Sequence, residues 1–128
     1  MPPSRQSLTA PGAPAPVGPY VHAVRTGDLL FCAGQIPLHP ETGELVGETA
    51  GEQARQCLEN LEAVCAAAGG RLADAVRVTV YLTDIAAMPE VNEVYAELLG
   101  DDPPARVGIA VTGLPRGAQV EVDAIVAL

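Results

Sequence analysis

The chain has no tryptophan, one phenylalanine and three tyrosines in 128 residues. Its core must therefore be aliphatic, and the interleaved aromatic and basic residues that stack and clamp nucleic acid bases are missing. Positive charge is equally scarce: 7 Lys+Arg stand against 16 Asp+Glu, a formal net charge of -9. Such a field repels phosphate backbones and anionic lipid headgroups, so neither nucleic acid nor a membrane surface is an expected partner. No apolar run approaches the roughly 20 residues of a membrane span. The N-terminus lacks the pattern of a secretory signal, and the expectation is a cytoplasmic protein. Three cysteines (Cys32, Cys57 and Cys65) form no CxxC pair, and each reads as a small buried hydrophobe. His22 and His39 stand apart, without a Cys or carboxylate cluster at ligand spacing, so no metal is expected.

What remains is 48% hydrophobic and 18% charged, the balance of one globular domain over residues 1–128. Residues 1–15, rich in Pro, Ser and Ala, read as an irregular arm. Tyr20 to Arg25 and Leu29 to Ala33 read as strands joined by the turn Thr26-Gly27-Asp28. From Thr49 to Ala68 the period changes. Ala54, Leu58, Leu61, Cys65 and Ala68 recur at three- and four-residue steps, an amphipathic helix ended by Gly69-Gly70. Val76, Val78, Val80 and Leu82 alternate with polar neighbours as a strand with one apolar face. A second helix is predicted from Met88 to Leu99, with Pro89 in its first turn and Gly100 beyond its end. Two further strands follow, Arg106 to Val111 and Val120 to Ala127, around a turn at Leu114-Pro115-Arg116-Gly117.

The order β-β-α-β-α-β-β predicts an α+β fold, a single mixed sheet with both helices on one face. The other face would carry Thr79, Tyr81, Glu121 and Ile125, a half-polar surface suited to burial against another copy of the chain.

Two charges stand out. Arg106 lies in a segment that otherwise reads as buried strand, where a guanidinium needs an anion. A ligand carboxylate matches its planar fork; an internal Arg–Glu or Arg–Asp pair would serve equally well. Glu121 lies fifteen residues on, in Val120-Glu121-Val122-Asp123.

Taken in order, Gly18-Pro19-Tyr20, Ala33-Gly34-Gln35-Ile36-Pro37, Pro40-Glu41-Thr42-Gly43-Glu44, Gln53-Ala54-Arg55-Gln56 with Leu58-Glu59-Asn60-Leu61, Val80-Tyr81-Leu82-Thr83-Asp84, Val91-Asn92-Glu93-Val94-Tyr95, Pro103-Pro104-Ala105-Arg106 and Leu114-Pro115-Arg116-Gly117 carry a resemblance. They resemble the RidA (YjgF-like) reactive intermediate deaminase family from about residue 13 to 128. The resemblance implies a chorismate mutase-like (YjgF-like) α+β fold, a homotrimer and active sites between subunits. It also implies cofactor-free hydrolysis of 2-imino acids and their enamine tautomers, such as 2-aminoacrylate and 2-iminobutyrate, to 2-oxo acids and ammonia.

Carried over residue by residue, Arg106 matches the family's carboxylate-binding Arg and Glu121 the Glu that holds the attacking water. Tyr20 matches its pocket Tyr, Asn92 the Asn of its helix motif, and Gly34 the Gly whose backbone lines the pocket. Where the family usually has Ser, then Cys or Thr one residue further on, this chain has Val107 and Gly108. The expectation is a more apolar pocket, roomier at Gly108. Two rival readings stand beside this one: a pathway-specific hydrolase of a larger imino or enamine acid, and a non-catalytic binder of small carboxylates.

Overall fold

The computed structural model describes residues 4–128. Six strands form one mixed sheet in the order β1-β2-β3-β6-β4-β5. They are β1 (Gln6–Leu8), β2 (Ala23–Thr26), β3 (Leu29–Gln35), β4 (Ala75–Leu82), β5 (Ala105–Ala110) and β6 (Val120–Ala127). All neighbours run antiparallel except β4 and β5. Two helices, α1 (Ala50–Ala67) and α2 (Met88–Leu99), complete the α+β architecture that the alternation of periods predicts.

Helix α1 begins where Thr49 accepts a hydrogen bond from the Glu52 N–H, while the Glu52 carboxylate accepts from the Glu48 N–H. These bonds satisfy donors that a helix start leaves bare. The helix ends at Gly69, whose φ of +78° few side chains tolerate. Its apolar stripe buries Ala54, Leu58, Leu61, Val64 and Cys65, along with Cys57, against the sheet. From the sheet side, Leu30, Val78, Val80, Leu82, Val120, Val122 and Val126 meet it, all at most 1% exposed. The core is thus aliphatic, and Cys32, Cys57 and Cys65 are all buried and free.

Three polar side chains on or beside this core hold loops. The Gln53 amide donates to Gly47 O and accepts from the Gln119 N–H. Asn60 donates to Ile36 O and Leu38 O, fixing the segment that leaves β3. His22 accepts from the Ala10 N–H at 2.8 Å and lies 2.7 Å from Pro14 O, a pairing that places hydrogen on Nε2. It fastens the N-terminal arm to the body.

Four expectations need correction. The arm is not wholly irregular, since Gln6–Leu8 adds an edge strand to β2, with Leu8 packed against the core. The strand predicted from Tyr20 starts at Ala23, and Tyr20 stands in the preceding loop. Val76 is 46% exposed rather than core, because the β4–β6 register slips between Ala75 and Arg77 and turns its side chain outward. Finally, β5 is not a buried strand. It is an edge strand paired only with β4, and five of its six residues are exposed. Arg106 is therefore open to solvent within the chain.

Candidate active site

Three of the residues singled out in the sequence meet at one hollow. Glu121, Tyr20 and Gly34, with Val17, Ala33, Ile36 and Pro115, line a cavity of about 310 Å³. Alternation on β6 turns Glu121 away from the helices, whereas Val120 and Val122 point inward. β3 carries a bulge here: its register with β6 shifts between Cys32 and Gln35. Gly34 lies in that bulge, and a Cβ on it would stand 3.0 Å from Cδ of Glu121, overlapping the carboxylate. The glycine is thus required for the acid to lie against the backbone of β3. Asn60 holds the far side by tying down Ile36 and Leu38.

Glu121 is half-buried and receives no side-chain hydrogen bond among the described residues. Burial, and then the nearby charge of Asp123, push its carboxyl above the ordinary value of 4.5. Asp123 in turn accepts a hydrogen bond from the Tyr81 hydroxyl at 2.9 Å. A carboxylate that is poorly solvated, uncompensated and open to a cavity is a better proton acceptor than one in water. Tyr20, 43% exposed, directs its hydroxyl oxygen to the Val17 N–H at 3.2 Å, which orders the loop over the hollow.

Arg106 and Asn92 form a second group. Arg106 Nη1 donates to Asn92 Oδ1 at 2.8 Å, and the guanidinium carbon lies 4.9 Å from the centre of the Tyr95 ring. An amide and an aromatic face orient the cation without neutralising it. Arg106 makes no ion pair with any described residue, unlike Arg55 with Glu97 and Arg71 with Asp74. The internal Arg–Glu or Arg–Asp pair left open by the sequence is thus not formed.

The chain does not bring Arg106 and Glu121 together. Arg106 pairs with Val78 and so projects to the helix side, whereas Glu121 pairs with Tyr81 and projects to the other. Two half-sites result, one with the acid and one with the cation, on opposite faces of one sheet.

Gly108 pairs with Val80 and faces α2, two residues along β5 from Arg106. The room expected there is taken: a Cβ on Gly108 would lie 2.6 Å from Met88 Cε. Sequence reasoning missed Met88 and Tyr95. Met88, Asn92 and Tyr95 are spaced i, i+4, i+7 on α2, the spacing of one helix face, which was the available signal. It also gave no role to Gln53 and Asn60, polar residues at three- and four-residue steps within an apolar stripe.

Fold and half-sites together define a small α+β protein suited to a small organic ligand. A family model described as Endoribonuclease L-PSP matches residues 10–128, and the chain belongs to this family, the RidA/YjgF proteins. It is 46% identical over 121 residues to a RutC family protein of Pyrococcus horikoshii, covering 94% of this chain and 96% of that one. It is 34% identical over 124 residues to the 2-iminobutanoate/2-iminopropanoate deaminase of Dermatophagoides farinae, covering 97% of each. Among solved structures, RidA from the Antarctic bacterium Psychrobacter sp. superposes with a TM-score of 0.92 at 40% identity, covering 96% of this chain and 99% of that one. The YjgF gene product of E. coli gives 0.89 at 35%, covering 95% and 98%.

Proposed function

We propose that this protein hydrolyses 2-imino acids, and enamines through their imine tautomers, to 2-oxo acids and ammonium. The site is completed when Arg106 of one copy faces the Glu121 hollow of another, in a homotrimer with three such seams. The observation that carries this reading is the unpaired Arg106, oriented by Asn92 and Tyr95 yet open to solvent. A cation so placed is ready for a carboxylate, which its fork grips through two parallel hydrogen bonds. The deaminase name of the relative from Dermatophagoides farinae points the same way.

The chemistry suits the residues. The iminium carbon of R–C(=NH2⁺)–COO⁻ is already electrophilic, so water attack needs orientation and one base. Arg106 would hold the carboxylate and fix the carbon. Glu121 takes a proton from water as the C–O bond forms, giving the carbinolamine R–C(OH)(NH2)–COO⁻, whose amino group is uncharged. The protonated Glu121 then delivers that proton to nitrogen. As the C–N bond breaks, the electron pair leaves with ammonia and the hydroxyl oxygen becomes the carbonyl. The hydroxyl proton ends on ammonia, so iminium plus water gives 2-oxo acid plus NH4⁺, with Glu121 returned as carboxylate. Tyr20, at the same hollow, is placed to hydrogen-bond the nitrogen or a carboxylate oxygen. No group beyond the chain and water is needed to balance these steps.

The substrate is zwitterionic, with no net charge for the acidic chain to repel. A polyanion such as RNA would be repelled by a charge of -9. Among the described residues no helix is long and apolar enough to cross a membrane, and we place the activity in the cytoplasm. Arg106→Ala and Glu121→Gln, assayed side by side, test the reading. Imines are generated by an amino acid oxidase, and semicarbazide traps what the protein leaves. Loss of turnover in both, with 2-oxo acid binding kept in Glu121→Gln and lost in Arg106→Ala, supports an enzyme. Full turnover in Glu121→Gln would remove Glu121 as the base, whereas a wild type that binds 2-oxo acids through Arg106 but turns over no imine would be a carboxylate-binding protein instead.

A further inference from the structure

Helix α2 presents three side chains to β5, and each has a contact there. Tyr95 lies under the Arg106 guanidinium, Asn92 accepts from it, and Met88 meets the space above Gly108. Arg106 and Gly108 are two residues apart on β5 and point the same way, which separates their Cα atoms by about 6.6 Å. That is the span of a short amino acid skeleton. A ligand whose carboxylate is held at Arg106 extends its side chain either along this strand or away from it.

Gly108 has no side chain to meet such a group, yet the position is not empty. Met88 Cε lies 2.6 Å, and its Sδ 3.7 Å, from where a Cβ would stand. The thioether reaches from the start of α2 across the strand and substitutes for the missing side chain. Met88 is only partly buried against the core, so its outer end keeps freedom to move. An unbranched, polarisable side chain yields to a ligand by degrees rather than blocking it outright.

We propose that Met88 is the specificity-determining residue of the site, its terminal methyl forming the wall that limits the substrate's side chain beyond Gly108. The favoured substrates are then 2-imino acids with side chains of one or two carbons. Branched ones enter only as far as Met88 is displaced. This inference rests on Arg106 being the carboxylate clamp.

The test measures kcat/KM for imines formed from alanine and from leucine by an amino acid oxidase, with semicarbazide as the trap. The proteins are wild type, Met88→Ala, Met88→Leu, Gly108→Ala, the double variant Met88→Ala/Gly108→Ala, and Arg106→Ala. In Met88→Ala the leucine-to-alanine ratio is expected to rise about tenfold or more, since even one methylene in an apolar pocket is worth roughly 10–200-fold in discrimination. Met88→Leu, which keeps the volume, should move the ratio far less. The methyl of Gly108→Ala drives Met88 outward and should depress the leucine-derived imine more than the alanine-derived one, an effect relieved in the double variant. An unchanged ratio in a folded Met88→Ala protein overturns the proposal. If that variant does not fold, Gly108→Ala decides, and equal effects on both imines overturn it. Should Arg106→Ala retain turnover, the clamp itself is wrong. Should Arg106→Ala be inactive while the ratio stays flat, only the role of Met88 falls.

Discussion

Replacing Glu121 by Gln perturbs the site with almost no change of shape, and its consequences for rate and stability should run in opposite directions. As the water-activating base, Glu121 should contribute roughly 10²–10⁴-fold to kcat/KM, and the amide removes that contribution. As a half-buried acid beside Asp123, it ionises with more difficulty in the folded chain than in the unfolded one. The folded state therefore binds its proton more tightly, and stability falls as pH rises from 4.5 through the raised folded value. At neutrality the wild type bears that cost in full; well below 4.5 both states are protonated and the cost is gone. Glutamine never ionises, so the variant should be the more stable protein at neutral pH and match the wild type in acid. Solvent screening at a half-exposed carboxylate keeps the gain to about 1 kcal/mol or less, a rise in Tm of no more than roughly 5 °C for a domain of this size. Thermal melts at one protein concentration across the pH range, beside pH profiles of kcat/KM, measure both effects. In the wild type the acid limb of that profile should lie above the ordinary carboxylate range. A variant that keeps its rate refutes the role of Glu121, and a Tm offset independent of pH refutes the electrostatic explanation.

Two other substitutions probe the supports of each half-site. The hydroxyl of Tyr95 is buried without a hydrogen-bond partner among the described residues. Tyr95→Phe should therefore raise stability by about 1 kcal/mol while leaving the ring under Arg106 and the KM for imine unchanged; a destabilised variant in urea unfolding would show that the hydroxyl is paired. Gly34→Ala places a methyl against the Glu121 carboxylate and should cost roughly 1–3 kcal/mol by overpacking together with most of the turnover; wild-type kcat in this variant would show that Glu121 works from another position.

Much of the fold was legible because the chain is locally consistent. The stripe from Ala54 to Cys65, the second helix opened by Met88-Pro89 and the strict alternation of Val120 to Ala127 each specify one element and one buried face. What failed depended on pairing rather than pattern. Gln6–Leu8 is too short to show a periodicity of its own and is a strand because β2 offers free main-chain groups and the core receives Leu8. Val76 alternates like its neighbours, and a register slip turns it out. β5 is apolar enough to read as buried, yet it is an edge whose outer side the chain leaves bare.

The site was legible as a set of residues but not as a geometry. Tyr20, Gly34 and Glu121 share a hollow, and Arg106 meets Asn92. The opposed directions of Arg106 and Glu121 follow from the registers of β5 and β6 on β4, which no local pattern encodes. Neither does sequence show that the thioether of Met88 stands where residue 108 has no side chain.

The separation of Arg106 from Glu121 makes the central claim open to a complementation measurement. Arg106→Ala and Glu121→Gln, each inactive alone, are unfolded together in equal amounts and refolded so that their subunits mix. A seam regains both groups when a chain bearing Arg106 meets a neighbour bearing Glu121. Random assembly predicts recovery of about a quarter of wild-type imine hydrolysis. A mixture that assembles but stays as inactive as its components would contradict a site shared between copies of the chain.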